Sequence, residues 1–208
     1  MKNREEQLLN WIKIGIVSGL ATSVIYPSLI FVPLPSLIQV FFIMAFGPAL
    51  SLASAGIYFY LKLDTDRITN RIALVANIIA GTMISTMLLV QSAIRHSKPD
   101  LVSETQKWVW YSVNHVHYGL DVAWDLYIFL GTLFFAIAMF NHPKLGKLFS
   151  VTGIALSIVM IILNAMSFPE PPAGSGLFDL GPFIGLWYLA VTIRILTTYK
   201  SYARKVIG

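Results

Sequence analysis

Six times along the chain a long apolar run gives way to a short polar break. The runs cover Trp11 to Phe31, Leu37 to Leu61, Ile72 to Ala93, Gly119 to Phe140, Lys147 to Met166 and Gly181 to Tyr199. An α-helix needs about 20 predominantly apolar residues to cross a bilayer core, and each run is close to that length. The runs are continuous and lack the apolar/polar alternation of a membrane-barrel strand. The pattern therefore predicts an all-α fold: a polytopic membrane helix bundle with six transmembrane helices, residues 1–208 forming a single integral membrane domain.

Proline and glycine mark the breaks. Pro33 and Pro35 close the first run, because proline cannot continue a helical hydrogen-bond ladder. Gly47-Pro48 lies inside the second run and predicts a kink that neighbouring helices must accommodate. The segment Ser167 to Leu180 contains Pro169, Pro171, Pro172, Gly174 and Gly176, so it cannot be regular helix throughout. Its stiff proline half and hinged glycine half suit either a cover over a cavity mouth or a rigid connection. The start of the chain carries Glu5 and Glu6 and lacks the net-positive opening of a secretory signal, so the first run reads as a retained helix.

Composition narrows the class further. Hydrophobic residues make up 56% of the chain and charged residues only 12%, about half the charged share of an ordinary soluble domain. Mean hydropathy is +0.71. A soluble enzyme, a disordered chain and a disulfide scaffold are poor fits. The absence of cysteine excludes disulfides, zinc–thiolate sites, iron–sulfur clusters and thiol chemistry.

The formal charge of +5 does not point to nucleic acid, because its distribution has another explanation. With the N-terminus inside, Lys2, Arg4, Lys13, Lys62, Arg67, Arg71, Lys144, Lys147, Arg194, Lys200, Arg204 and Lys205 lie on one side. Only Arg95, Lys98 and Lys107 lie on the other. That bias predicts an N-in, C-in topology in a cell membrane, with both termini cytoplasmic. Compact loops and high lysine usage suit a bacterial cytoplasmic membrane. Trp11, Trp108, Trp110, Tyr111, Trp187 and Tyr202 fall near the span ends, as an aromatic belt requires.

Candidate chemistry concentrates in the fourth run. His117, Asp121 and Asp125 recur every four residues and share a helix face, with Asn114 a near neighbour. The apolar stretch after Asp125 is too short to span alone, which draws both aspartates into the outer half of the bilayer. A carboxylate at the centre of a membrane helix costs on the order of 2.5–3.5 kcal/mol, and less toward the interface. A chain that keeps two of them needs a cation, a base or water beside them.

Three functions follow from that face. The first is an outward-facing acidic pocket that binds or transports a cation or small solute. Asp121, Asp125, His117, Asn114, Gln91, Asn164 and Glu170 would line it, and Tyr26 and Gln39 are further polar groups at the same end. The second is an intramembrane metal-dependent hydrolase or transferase, in which His117, Asp121 and Asp125 hold a divalent metal as cofactor. Glu170 and Asp179 are further candidate ligands there. The third is a non-catalytic sensor or subunit that meets a second copy or another membrane protein. Asp121 and Asp125 share the DxxxD spacing of intramembrane prenyltransferases, but those enzymes carry a second acidic motif and more helices. The size, the six-helix topology and Gly15-x3-Gly19 resemble vitamin-binding subunits of energy-coupling transporters, which implies a partner helix packed on those glycines. Between enzyme, transporter and sensor the residues leave the choice open.

Overall fold

The computed structural model describes residues 2–101 and 107–207, with side chains described for residues 6–96 and 107–204. Of the basic residues counted above, Lys2, Arg4, Lys98 and Lys205 have side chains outside that set. Six helices make up the fold: α1 (Lys2–Phe31), α2 (Ser36–Lys62), α3 (Ile68–Leu101), α4 (Lys107–Met139), α5 (Gly146–Ser167) and α6 (Gly181–Ile207). All six are long and apolar enough to cross a membrane. Successive helices joined by such short connections must run antiparallel.

The fourth helix departs from expectation. It begins at Lys107, far ahead of Gly119, and runs for 33 residues. The segment from Lys107 to Tyr118 is too polar to read as a span, but it contains no proline or glycine to stop a helix. At 1.5 Å per residue α4 is roughly 50 Å long, well over a bilayer core. The third helix likewise continues past Ala93 to Leu101, so α3 and α4 extend together beyond the apolar zone.

Each of the first five helices packs on the next, and α6 returns against α1 with a lighter contact to α5. Small residues set the closest approaches. Gly15 of α1 lies against Gly56 of α2, Gly47 of α2 against Gly81 of α3, and Gly19 against Thr192 of α6. The Gly15-x3-Gly19 face is thus occupied within the chain, and the expectation of a partner helix there is corrected. Close backbone approach of this kind is how helices associate in lipid, where the hydrophobic drive between them is absent.

Some of the polar groups buried between the helices pair across helices. At mid-bundle the Tyr188 hydroxyl donates to Asn77 Oδ1 at 2.7 Å, and Asn77 Nδ2 donates to the Ala73 carbonyl at 2.9 Å. Thr132 lies beside the same hydroxyl at 3.4 Å. Nearer the basic end, Tyr60 and Thr198 share a hydrogen bond of 2.6 Å.

The turn between α4 and α5 is held by His142. Its Nδ1 accepts the backbone N–H groups of Lys144 and Leu145 at 3.2 and 3.3 Å. Its ring packs beside Tyr60 and Tyr202, with centroids 5.2 and 5.3 Å away. Gly146 follows with φ +64°, a conformation that favours glycine. An Nδ1 that accepts two donors cannot carry a proton. Burial, assisted by Arg67 and opposed by Asp64, pushes the His142 pKa down to about 4. A histidine whose folded pKa lies below its unfolded value contributes stability above the unfolded value and loses it as pH falls. Thermal stability should therefore decline between the ordinary value of 6.5 and about 4. The variant His142→Gln keeps an acceptor that does not titrate in this range. The difference between wild-type and variant melting curves should carry that slope, and a flat difference would show the turn is not held this way.

Candidate functional site

At the end of the bundle opposite His142, the helices part around a cavity of about 570 Å³. The volume lies within the roughly 300–1,000 Å³ of small-molecule sites. Its α4 wall is Asp121, Trp124 and Asp125, three positions on one helical face. The α3 wall is a stripe of the same periodicity that runs from Ile84 through Met87, Leu88, Gln91 and Ser92 to Arg95 and His96. Tyr26 of α1 and Gln39 of α2 complete the polar lining. The α5–α6 connection supplies Pro171, Pro172, Ala173 and Asp179 across the mouth.

Asp125 is the most enclosed of the carboxylates, with 5% of its surface exposed. Asn164 of α5 donates to Asp125 Oδ2 at 3.0 Å and to the Met160 carbonyl at 3.1 Å. A carboxylate has about four acceptor positions, and this one receives a single neutral donor among the described residues. The ion pairs among those residues all involve Asp66, which Lys62 and Arg71 meet at the other end of the bundle. Asp121 is half-buried one turn away and makes no hydrogen bond among the described residues. Asp179 accepts the Gly181 N–H at 2.8 Å and so caps the start of α6. The three carboxylates are near enough to feel one another's charge. Arg95 is the one lysine or arginine among the described lining residues.

Two aromatic rings, Tyr26 and Trp124, join the aliphatic side chains in the wall. Tyr26 stacks on Phe46 at 5.4 Å and lies 6.5 Å from Trp124. Two buried polar atoms at the site, Trp124 Nε1 and Asn164 Oδ1, have no hydrogen-bond partner among the described residues.

The expected site residues divide into two groups. Asp121, Asp125 and Gln91 line the cavity, and Asn164 reaches it through Asp125. Asn114, His117 and Glu170 are not among the lining residues. His117 Nε2 is hydrogen-bonded to Gln91, so it fixes a lining side chain from behind. The proposed metal face is not assembled. Among the described residues no group of three or more His, Asp or Glu side chains is placed to hold a metal ion. Positions 117 and 125 are two turns apart, roughly 12 Å along the axis, too far for a single ion with bonds of about 2 Å to meet both. Ser92, His96 and Trp124 join the lining without a sequence expectation of a site, and Arg95, expected only as an outer-side charge, joins them. The spacing of Met87, Gln91 and Arg95 was the available signal.

Comparison with protein-family models, with curated proteins and with solved structures found no match. The site's own chemistry carries the functional argument.

Proposed function

We propose that this chain is an integral membrane protein that binds a small organic cation in the cavity between α1, α2, α3 and α4. The observation that carries the reading is Asp125, an enclosed carboxylate facing a solute-sized cavity with one neutral hydrogen bond and no cationic partner among the described residues. Three carboxyl groups against Arg95 leave the described lining formally net acidic, so a positively charged guest complements it. Trp124 and Tyr26 offer ring faces to the same guest.

Volume selects the class of cation. A bare metal ion needs a small set of converging ligands, whereas this space also has Ile43, Met87 and Leu88 in its walls. An ammonium group on a carbon frame uses both kinds of surface. The bias of basic residues along the sequence supports a mouth on the outer side of the membrane. Carriage across the membrane is a second reading. It is favoured by the polar side chains of Asn77, Thr132 and Tyr188, buried beneath the cavity toward the opposite end.

The test is equilibrium binding of a tetraalkylammonium probe to purified protein, compared with the uncharged compound in which carbon replaces nitrogen. Saturable binding of the cation alone is the expected result, and equal binding of the two would end the proposal.

A further inference from the structure

A second cavity adjoins the first. It measures about 260 Å³ and lies between the outer halves of α1 and α6, backed by Phe46 and Leu50 of α2 and by Ile128 of α4. The two cavities share Tyr26, Ile30 and Trp124, so the same three side chains line both spaces. The second space is predominantly apolar: of its four lining hydroxyls three are engaged elsewhere, and the fourth, that of Tyr26, belongs to a residue shared with the polar cavity. Thr22 and Ser23 both donate to the Gly19 carbonyl of their own helix, at 2.9 and 2.8 Å. Tyr188 is committed to Asn77.

The crevice has a closed floor and an open side. Gly19 against Thr192 brings α1 and α6 together below it. Its rim is exposed and apolar: Ile30 is 51% exposed, Phe31 77% and Leu186 60%. In a membrane such a rim faces lipid chains. The volume is below that of a typical whole-ligand site, so it suits one part of a larger guest.

We infer that the guest of the polar cavity is an amphiphile, with an ammonium head beside Asp121 and Asp125 and a single alkyl chain in the α1/α6 crevice. The inference rests on the cation-binding reading and adds the chain. An acidic, aromatic-walled compartment directly abutting a dry one that opens toward lipid matches a molecule with one cationic end and one apolar end. Such a molecule concentrates in the bilayer and reaches the crevice from the side. The chain gains contact with apolar walls, while the head gains the charge complement that lipid cannot supply.

Gly185 provides the test. It lines the crevice, and a Cβ added there meets nothing within 4 Å. Gly185→Leu therefore fills the chain compartment from α6, and Ser23→Leu fills it independently from α1. Affinities of tetramethylammonium and dodecyltrimethylammonium are measured for wild type and both variants in lipid nanodiscs. Partition of the long probe into lipid is the same for every protein and cancels in the comparison.

The expected result is that the wild type favours the long probe over the short one by about tenfold more than either filled variant does. Tetramethylammonium binding should be unchanged in both. An equal chain-length preference in wild type and variants would overturn the inference and leave the cation site standing. Failure of the wild type to bind either probe would instead remove the cation reading itself. If one variant does not fold, the other carries the comparison.

Discussion

Asp125→Asn is expected to abolish cation binding and to leave the protein at least as heat-stable as the wild type. The substitution preserves size and retains an oxygen that accepts from Asn164, whose amide now meets Asp125 at 3.0 Å. It removes the charge that complements the guest. Loss of one member of a close, desolvated charge pair typically costs 2–5 kcal/mol, and a loss of about 2.7 kcal/mol is already 100-fold in affinity. Stability should move the other way. An ionised carboxylate within a membrane helix is costly to keep, so its removal relieves the fold while disabling the site. Thermal unfolding in detergent, run beside ammonium binding, separates the two effects. Unchanged affinity with a melting temperature lowered by several degrees would make Asp125 a structural residue instead.

Gly56→Leu should damage the fold more than any change at the cavity. The Gly15 and Gly56 backbones lie in direct contact, so a side chain at Gly56 must push α1 away from α2. Overpacking a well-packed core costs about 1–3 kcal/mol when flexible side chains can yield. Here the obstacle is another helix's main chain, so a loss at or beyond the upper end is expected. Gly119 on α4 is the contrasting case, because a Cβ there meets nothing within 4 Å. Gly119→Ala should raise stability by up to about 1 kcal/mol through helix propensity alone. Melting temperatures of the two variants test the pair. A wild-type melting temperature for Gly56→Leu would contradict the α1–α2 packing.

Six helices were legible because each buries its identity in a run of about 20 apolar residues. Where a helix outruns that signal, the sequence is silent. The first part of α4 is polar and aromatic, and only the absence of a helix breaker before Gly119 marked it as continuous. The acidic face was legible from the four-residue spacing of Asp121 and Asp125. His117 shares that spacing but faces Gln91, because a long helix can send its successive turns to different neighbours. Arg95 read as a loop charge, since the apolar run stops at Ala93 while α3 itself continues. Asp179 was visible only as a candidate ligand, and its capping of α6 depends on a loop path that no periodicity encodes. Gly15-x3-Gly19 identified a close-packing surface, but spacing alone does not say which helix packs there.

An organic cation in the acidic cavity is the proposal on which the rest depends. Calorimetric titration of the purified protein tests it most directly, with choline as the probe and its uncharged carbon isostere as the control. Saturable binding of choline at about one equivalent and no measurable binding of the isostere are expected. Equal affinity for the two, or binding of neither, would contradict it.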